Sequence, residues 1–283
     1  MIVKAPAKVN LCLKVRRRRA DGYHEIETLF ERVSLCDELR LQKIPSGIRL
    51  TCTGIRVGGG PSNLVRRAAE LLRKHCGVAS GAAIRLTKRI PVAAGLGGGS
   101  SDAAAALIGL DRLWRLGLSR KTLLKLALEL GSDVPFFILN ASLAVGKGRG
   151  EKLKAVRSRA RLWHVLAFAG LKVPTKEIYG ALTPADWDST PLDAARLLAA
   201  CRLKDARLLG RLMANTLGGV CTAKHPALAK MLKAFEEEGA LRAMVSGSGS
   251  TLFCLARSRK DAEGIARRMR GRFKTPFCVV STA

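Results

Sequence analysis

One segment, Pro91-Val92-Ala93-Ala94-Gly95-Leu96-Gly97-Gly98-Gly99-Ser100-Ser101-Asp102, limits what this chain can fold into more than any other. Ahead of it, Ala82 to Ile90 alternates in the manner of a strand, and Pro91, which has no N–H to donate, stops the ladder. Behind it, Asp102-Ala103-Ala104-Ala105-Ala106-Leu107 has high helix propensity and an acid in its first turn. The order is strand, glycine loop, helix. Glycines let the backbone approach oxygen atoms closely and turn successive N–H groups inward, and the helix start adds its positive dipole end. Phosphate is the natural guest. Ser100 and Ser101 offer hydroxyls at the helix start, able to bind a phosphate oxygen or a magnesium ion carried by it. A Walker loop needs Gly-Lys followed by Ser or Thr, which is absent. A dinucleotide fingerprint beginning at Gly95 needs glycine at position 100, where Ser stands.

The rest of the chain reads as mixed structure. Apolar runs near Val9 to Val15, Glu27 to Val33 and Glu38 to Lys43 predict strands. Asn63 caps a helical repeat that ends near Gly77, and Leu118 to Leu130 is a further amphipathic helix closed by Gly131-Ser132-Asp133. Gly146-Lys147-Gly148-Arg149-Gly150 is a flexible basic stretch, and the texture changes after it. Later come a strand at Leu162 to Phe168, helices around Leu192 to Cys201 and Pro226 to Glu238, and a strand pair about Val245 to Ala256. A helix from Asp261 to Met269 and a last strand at Phe277 to Ser281 follow. A length of 283 residues suits two domains. We place them at 1–155 and 156–283; strands mixed with helices and hairpins give the class α+β.

Composition narrows the function classes. Fifty Lys and Arg against 22 Asp and Glu leave a net charge of +28, which attracts anions of every kind and selects none. The basic residues are spread along the chain, and only 5% of residues are aromatic, so a dedicated nucleic-acid role is the weaker reading. The eight cysteines form no Cys-x-x-Cys pair, which argues against zinc and for small buried hydrophobes in a reducing compartment. The start lacks the apolar stretch of a secretion signal, and no run reaches the roughly 18 to 20 apolar residues of a membrane span. The expectation is a cytoplasmic protein without a membrane partner.

Two further segments carry candidate chemistry. Lys8 lies in Ala5-Pro6-Ala7-Lys8-Val9-Asn10-Leu11, where a lone lysine is ordinarily solvated. Asp133 lies in Gly131-Ser132-Asp133-Val134-Pro135-Phe136-Phe137, which reads equally as a turn capped by Asp133 or as a carboxylate among apolar residues, able to act as a base. With the glycine loop they supply a cation, a base and a phosphate cradle, the parts that phosphoryl transfer needs.

Pro6 to Leu11, Pro91 to Asp102 and Val245-Ser246-Gly247-Ser248-Gly249-Ser250 resemble, in the same order, the three motifs of the galactokinase, homoserine kinase, mevalonate kinase and phosphomevalonate kinase (GHMP) superfamily. Arg19-Ala20-Asp21-Gly22-Tyr23-His24 and the triple glycine resemble the branch that phosphorylates a cytidine diphosphate derivative. The resemblance implies a two-domain α+β GHMP kinase fold, with an N-terminal domain like the second domain of ribosomal protein S5 and a ferredoxin-like C-terminal domain. It implies ATP and Mg2+ as cofactors, and a small-molecule substrate bound by a monomer or weak homodimer. It makes Asp133 the base, Lys8 its electrostatic partner, and Pro91, Val92, Ala93, Ala94, Gly95, Leu96, Gly97, Gly98, Gly99, Ser100 and Ser101 the cradle of the ATP phosphates. Asn63 and Lys88 fall nearer the adenosine, and Asn10 near the transferred group. Tyr23 and His24 recognise the cytidine, while Thr175 and Tyr179, in Val173-Pro174-Thr175-Lys176-Glu177-Ile178-Tyr179, close over the cytosine. Ala93-Ala94 stand where many relatives carry more glycine, which stiffens the loop entrance. Arg16 to Arg19 is a heavier basic run than the pattern requires; it steers anionic ligands or reflects the global basic bias. No metal ligand is assigned. The rival readings are a mevalonate or homoserine kinase and a nucleic-acid-binding protein.

Overall fold

Alternating apolar residues at the start of the chain build two long strands, β1 (Ile2–Arg18) and β2 (His24–Ile44), in a computed structural model that describes residues 1–158, 160–187, 189–190 and 193–283. The contacts divide the chain into two units, and both strands run from one into the other. The first comprises residues 1–7, 35–92 and 97–141; the second comprises 8–34, 93–96 and 142–283.

In the first unit, β2 pairs antiparallel with β4 (Gly81–Lys88), from Glu38↔Thr87 to Ile44↔Gly81. β3 (Ile48–Gly54) lies parallel to β4 and is joined to it through α1 (Leu64–Cys76). That crossover obeys the rule that parallel neighbours need a long connection. α1 buries Val65, Ala68, Ala69 and Leu72, the spacing of one helical face. α2 (Gly98–Trp114) packs on α1, on α3 (Arg120–Leu130) and on α4 (Val134–Ile138), and its buried Ala103 to Ala106 let those helices approach closely.

In the second unit, the front of β2 pairs with β5 (Leu143–Gly148), which turns back into β6 (Lys152–Val156). A four-stranded antiparallel sheet follows, built from β7 (Trp163–Phe168), β9 (Arg242–Val245), β10 (Thr251–Ala256) and β11 (Phe277–Ser281) in the order β11-β7-β10-β9. Between β7 and β9 come α5 (Thr175–Gly180), a 3-10 turn at Pro184–Asp186, α6 (Ala194–Leu203), α7 (Ala206–Leu212), α8 (Thr216–Lys224) and α9 (Pro226–Glu237). α10 (Arg259–Arg272) joins β10 to β11. Strand, helices, hairpin, helix, strand in this sheet order is the ferredoxin-like arrangement expected of the C-terminal part. β8 (Ala214–Asn215) adds to β1 in parallel. The core joins Leu13, Val15 and Ile26 to Val165, Leu252, Cys254, Phe235, Ile265 and Met269.

Several elements differ from the sequence expectation. Glu27–Val33 and Glu38–Lys43 belong to one strand, because Ser34-Leu35-Cys36-Asp37 continues the pleat with Asp37 buried on the same stripe as Leu39 and Leu41. α2 begins at Gly98, inside the loop, and not at Asp102. Val134 to Ile138 is a helix where a turn was expected, and Gly146 to Gly150 forms the β5–β6 hairpin where a flexible stretch was expected. The helix expected from Leu192 starts at Ala194, and Leu192 lies outside the described residues. Among the described residues no helix is long and apolar enough to cross a membrane.

Candidate active site

In the first unit the glycine loop is held at both ends by buried charge. Period-two alternation in β4 turns Ala82, Ile84 and Leu86 inward and carries Lys88 in with them. A buried ammonium requires counter-charge, and two carboxylates supply it: Lys88 Nζ pairs with Asp37, and lies 3.0 Å from Asp102 Oδ2. Asp37 Oδ1 also accepts the backbone N–H groups of Arg89 (2.5 Å) and Ile90 (2.8 Å). Burial pushes the Asp102 carboxyl up to about 7; the ammonium of Lys88 opposes the rise and the charge of Asp37 adds to it. Ser101 Oγ is buried with no hydrogen-bond partner among the described residues. Asn63 spends its side chain locally: Oδ1 accepts from Val65 N at the start of α1, and Nδ2 donates to Gly58 O. Asp133 immediately precedes α4, whose Val134, Pro135, Phe136, Phe137 and Ile138 are all buried, and makes no side-chain capping bond to it. Its carboxylate is therefore not the cap that a turn reading supposes.

In the second unit Lys8 is almost wholly buried. Its Nζ donates to Asn10 Oδ1 (2.8 Å), Asn10 Nδ2 donates to Thr28 Oγ1 (2.7 Å), and Thr28 donates to Cys12 O (2.6 Å). The Lys8 ammonium also lies 5.5 Å from the centre of the Phe30 ring. The middle of the glycine loop is fixed beside it. Lys8 N donates to Leu96 O (2.9 Å), Ser246 Oγ to Gly95 O (2.9 Å), and Thr251 N to Ala94 O (3.3 Å). The turn Ser246 to Ser250 approaches so closely that a Cβ on Gly247 would stand 3.6 Å from Lys8 Nζ and 3.7 Å from Asn10 Oδ1. Asn215 holds that turn, donating to Val245 O and Gly247 O, while Thr175 Oγ1 bonds Ser248 Oγ (2.9 Å).

The same unit presents an aromatic cluster. Arg19 pairs with Asp21 and Glu25, Tyr23 N donates to Asp21 Oδ1, and Gly22 supplies the left-handed φ of +82° that the turn demands. This turn sets out Tyr23 and His24. The His24 ring lies 5.5 Å from Tyr179 at an interplanar angle of 34°, and 6.4 Å from Trp187 in an edge contact. Tyr23 is 55% exposed, with the Arg149 guanidinium 4.8 Å from its ring centre. Burial, with help from the charge of Arg18, holds His24 below the ordinary imidazole range. The basic run is partly paired, since Arg16 bonds Glu27 at 3.0 Å and Arg19 is engaged as above.

Within the units the structure thus brings Lys8 to Asn10, Ala93–Leu96 to the third motif, Thr175 to that motif's Ser248, and His24 to Tyr179. Lys88 meets the helix that carries Ser101. Sequence reasoning gave no part in the site to Thr28, Asp37, Asn215 and Trp187, and it named Asp102, Ser246 and Ser248 only as members of their motifs. Asp37 fell between the strands expected at Glu27–Val33 and Glu38–Lys43, and its inward position emerged only with the single long β2.

Comparisons with known proteins identify the family and the fold. The model described as "GHMP kinases N terminal domain" matches residues 63–141, and "GHMP kinases C terminal" matches 197–275. A 4-diphosphocytidyl-2-C-methyl-D-erythritol kinase of Salinispora arenicola is 45% identical over 93% of this chain and 86% of its own length. One of Pelotomaculum thermopropionicum is 42% identical over 94% and 92%. A crystal structure of 4-(cytidine 5'-diphospho)-2C-methyl-D-erythritol kinase superposes with a TM-score of 0.87 at 37% identity, covering 99% of this chain and 98% of that one. A homoserine kinase from Cytophaga hutchinsonii, at 21% identity and a TM-score of 0.77 over 100% and 94%, shares the fold. With the ordered motifs, the sheet order and these matches together, the chain belongs to the 4-diphosphocytidyl-2-C-methyl-D-erythritol kinase family of the GHMP kinases.

Proposed function

We propose that this chain transfers the γ-phosphoryl group of ATP to the 2-hydroxyl of 4-diphosphocytidyl-2-C-methyl-D-erythritol, in the non-mevalonate route to isoprenoids. The observation that carries the reading is the pairing of His24 with Tyr179 beside the Arg19–Asp21 turn, in a chain that also has the phosphate loop. A kinase for mevalonate or homoserine has no use for flat rings that stack on a base.

In the proposed mechanism Asp133 takes the proton of the 2-hydroxyl as its oxygen bonds to the γ-phosphorus, the bond from that phosphorus to the β,γ-bridging oxygen breaks, and ADP leaves. Lys8, oriented by Asn10 and Thr28, stabilises the charge that develops on the phosphoryl group. Asn10 lies near the transferred group, and Pro91 to Ser101 cradle the phosphates. Magnesium would come with ATP, neutralising phosphate charge. Among the described residues no cluster of three acidic, His or Cys side chains could hold a metal, whereas the unpartnered Ser101 hydroxyl is a hard oxygen ligand that fits one, with Ser100 beside it. Tyr23 and Tyr179 supply stacking faces, the neutral imidazole of His24 a hydrogen bond to the cytosine edge, and Thr175 fixes the approach of Tyr179. Asn63 shapes the adenosine end through its loop.

ADP release measured with the cytidine acceptor, mevalonate and homoserine tests the reading, which expects turnover with the first and background with the others; turnover with mevalonate or homoserine instead would refute it. Tyr179→Ala should raise KM for the cytidine acceptor by roughly ten- to hundredfold, the loss of about 1–3 kcal/mol of base stacking, with KM for ATP little changed. His24 gives a pH test. Its depressed pKa keeps it neutral at pH 7, so acceptor KM should be flat there and rise as pH falls below the ordinary imidazole range. In His24→Asn that rise should vanish, and a parent KM that does not depend on pH in acid would remove the imidazole from cytosine recognition.

A further inference from the structure

Asp37, Lys88 and Asp102 join the two ends of the glycine loop in one buried charge cluster. The entry is held twice, by Lys88 at the end of β4 and by Asp37 Oδ1, which binds the amides of Arg89 and Ile90 immediately ahead of Pro91. The exit is held by Asp102, the fifth residue of α2, which reaches Lys88 Nζ at 3.0 Å. Gly98 completes the fit, since a Cβ there would stand 2.8 Å from Lys88 Nζ and 2.9 Å from Ile90 Cγ2. All of these residues lie in the first unit.

We infer that the Asp37–Lys88–Asp102 cluster is a latch that sets the separation of the loop's ends, and that its members are positioning residues for ATP and not contacts of the nucleotide. The inference rests on the reading of this loop as the ATP site. Lys88 is bonded to two carboxylates and nearly inaccessible, so it has neither charge nor reach to spare for adenosine. A segment with four glycines between residues 91 and 101 loses much backbone freedom when it orders, and fixing its ends in the free protein removes part of that cost from ATP binding. A cluster needed only for the core is replaceable: buried ion groups are costly to desolvate, and apolar residues of like volume serve as well.

The test pairs amide hydrogen exchange of residues 91–101 in the ATP-free protein with steady-state kinetics of Asp102→Asn and Asp37→Ala. Exchange should speed up in the loop and not in β10 or α10, and KM for ATP should rise roughly ten- to hundredfold. KM for the acceptor and kcat should stay near the parent values. Unchanged loop exchange with unchanged KM for ATP, or equal rises in both KM values, would overturn the latch even if the melting temperature falls. If Asp37→Ala does not fold, the isosteric Asp102→Asn decides the matter alone. A parent protein that does not turn over ATP would refute the ATP reading instead, a result distinct from unchanged exchange in an active enzyme.

Discussion

Asp133→Asn should lower kcat about 10²- to 10⁴-fold, the usual contribution of a general base, while KM for ATP stays close to its parent value. The substitution keeps the shape of the side chain and most of its hydrogen-bonding capacity and removes its basicity. Asp133 sits at the start of a helix whose every residue is buried, which fixes its backbone, and it forms no capping bond to that helix. The 2-hydroxyl to be phosphorylated is tertiary, since carbon 2 carries the methyl branch, so it is the most hindered hydroxyl of the acceptor. Selecting it over easier alcohols demands a base aimed at it. Initial rates of ADP release at saturating acceptor measure the effect, and a variant as fast as the parent would remove Asp133 from the proton-transfer step.

Gly95→Ala should cut kcat/KM for ATP about 10²-fold by displacing the loop. A Cβ at this position would stand 2.0 Å from Ser246 O and 3.0 Å from Gly249 O, backbone atoms that cannot rotate away. Its φ of +76° adds a second cost of about 1–2 kcal/mol for any L side chain. The shift is not absorbed locally, because Ser246 Oγ bonds Gly95 O and the next carbonyl, of Leu96, accepts the amide of Lys8. Gly219→Ala in α8, where a Cβ meets nothing within 4 Å, is the control and should gain about 0.5–1 kcal/mol of stability. Equal activity in Gly95→Ala and Gly219→Ala would show that the packing of the glycine loop on Ser246 to Ser250 is dispensable.

Features that depend on local order were legible in the sequence. The strand, glycine loop and helix announce themselves because proline, glycine and alanine each act on their own backbone. The N-cap of α1 at Asn63 was likewise readable from one residue and its neighbours. Lys8, Asn10, Tyr23 and His24 were marked by their motifs. The partners of these residues were not, because strand pairing and sheet packing bring them from far along the chain. Thr28 is an ordinary strand threonine until β2 sets it against Asn10, and Asn215 is one polar residue among many until it holds the Ser246–Ser250 turn. The latch shows the intermediate case. Lys88 occupies an inward position of an expected alternating strand, so its burial was readable, whereas Asp37 fell between two expected strands, and its pairing with Lys88 follows from the β2–β4 register, which no short window contains. The expectation of a flexible stretch at Gly146–Gly150 failed because those glycines make a hairpin turn, where positive φ is needed at Gly148 and Gly150.

The proton-coupled ³¹P NMR spectrum of the product made from ATP and 4-diphosphocytidyl-2-C-methyl-D-erythritol tests the central claim most directly. Carbon 2 bears no hydrogen, so phosphorylation there should give one new monoester signal without three-bond coupling to a proton, together with ADP. A monoester split by neighbouring C–H protons would place the phosphate on another hydroxyl and contradict the assignment, and ADP release without any new monoester would contradict the transfer itself.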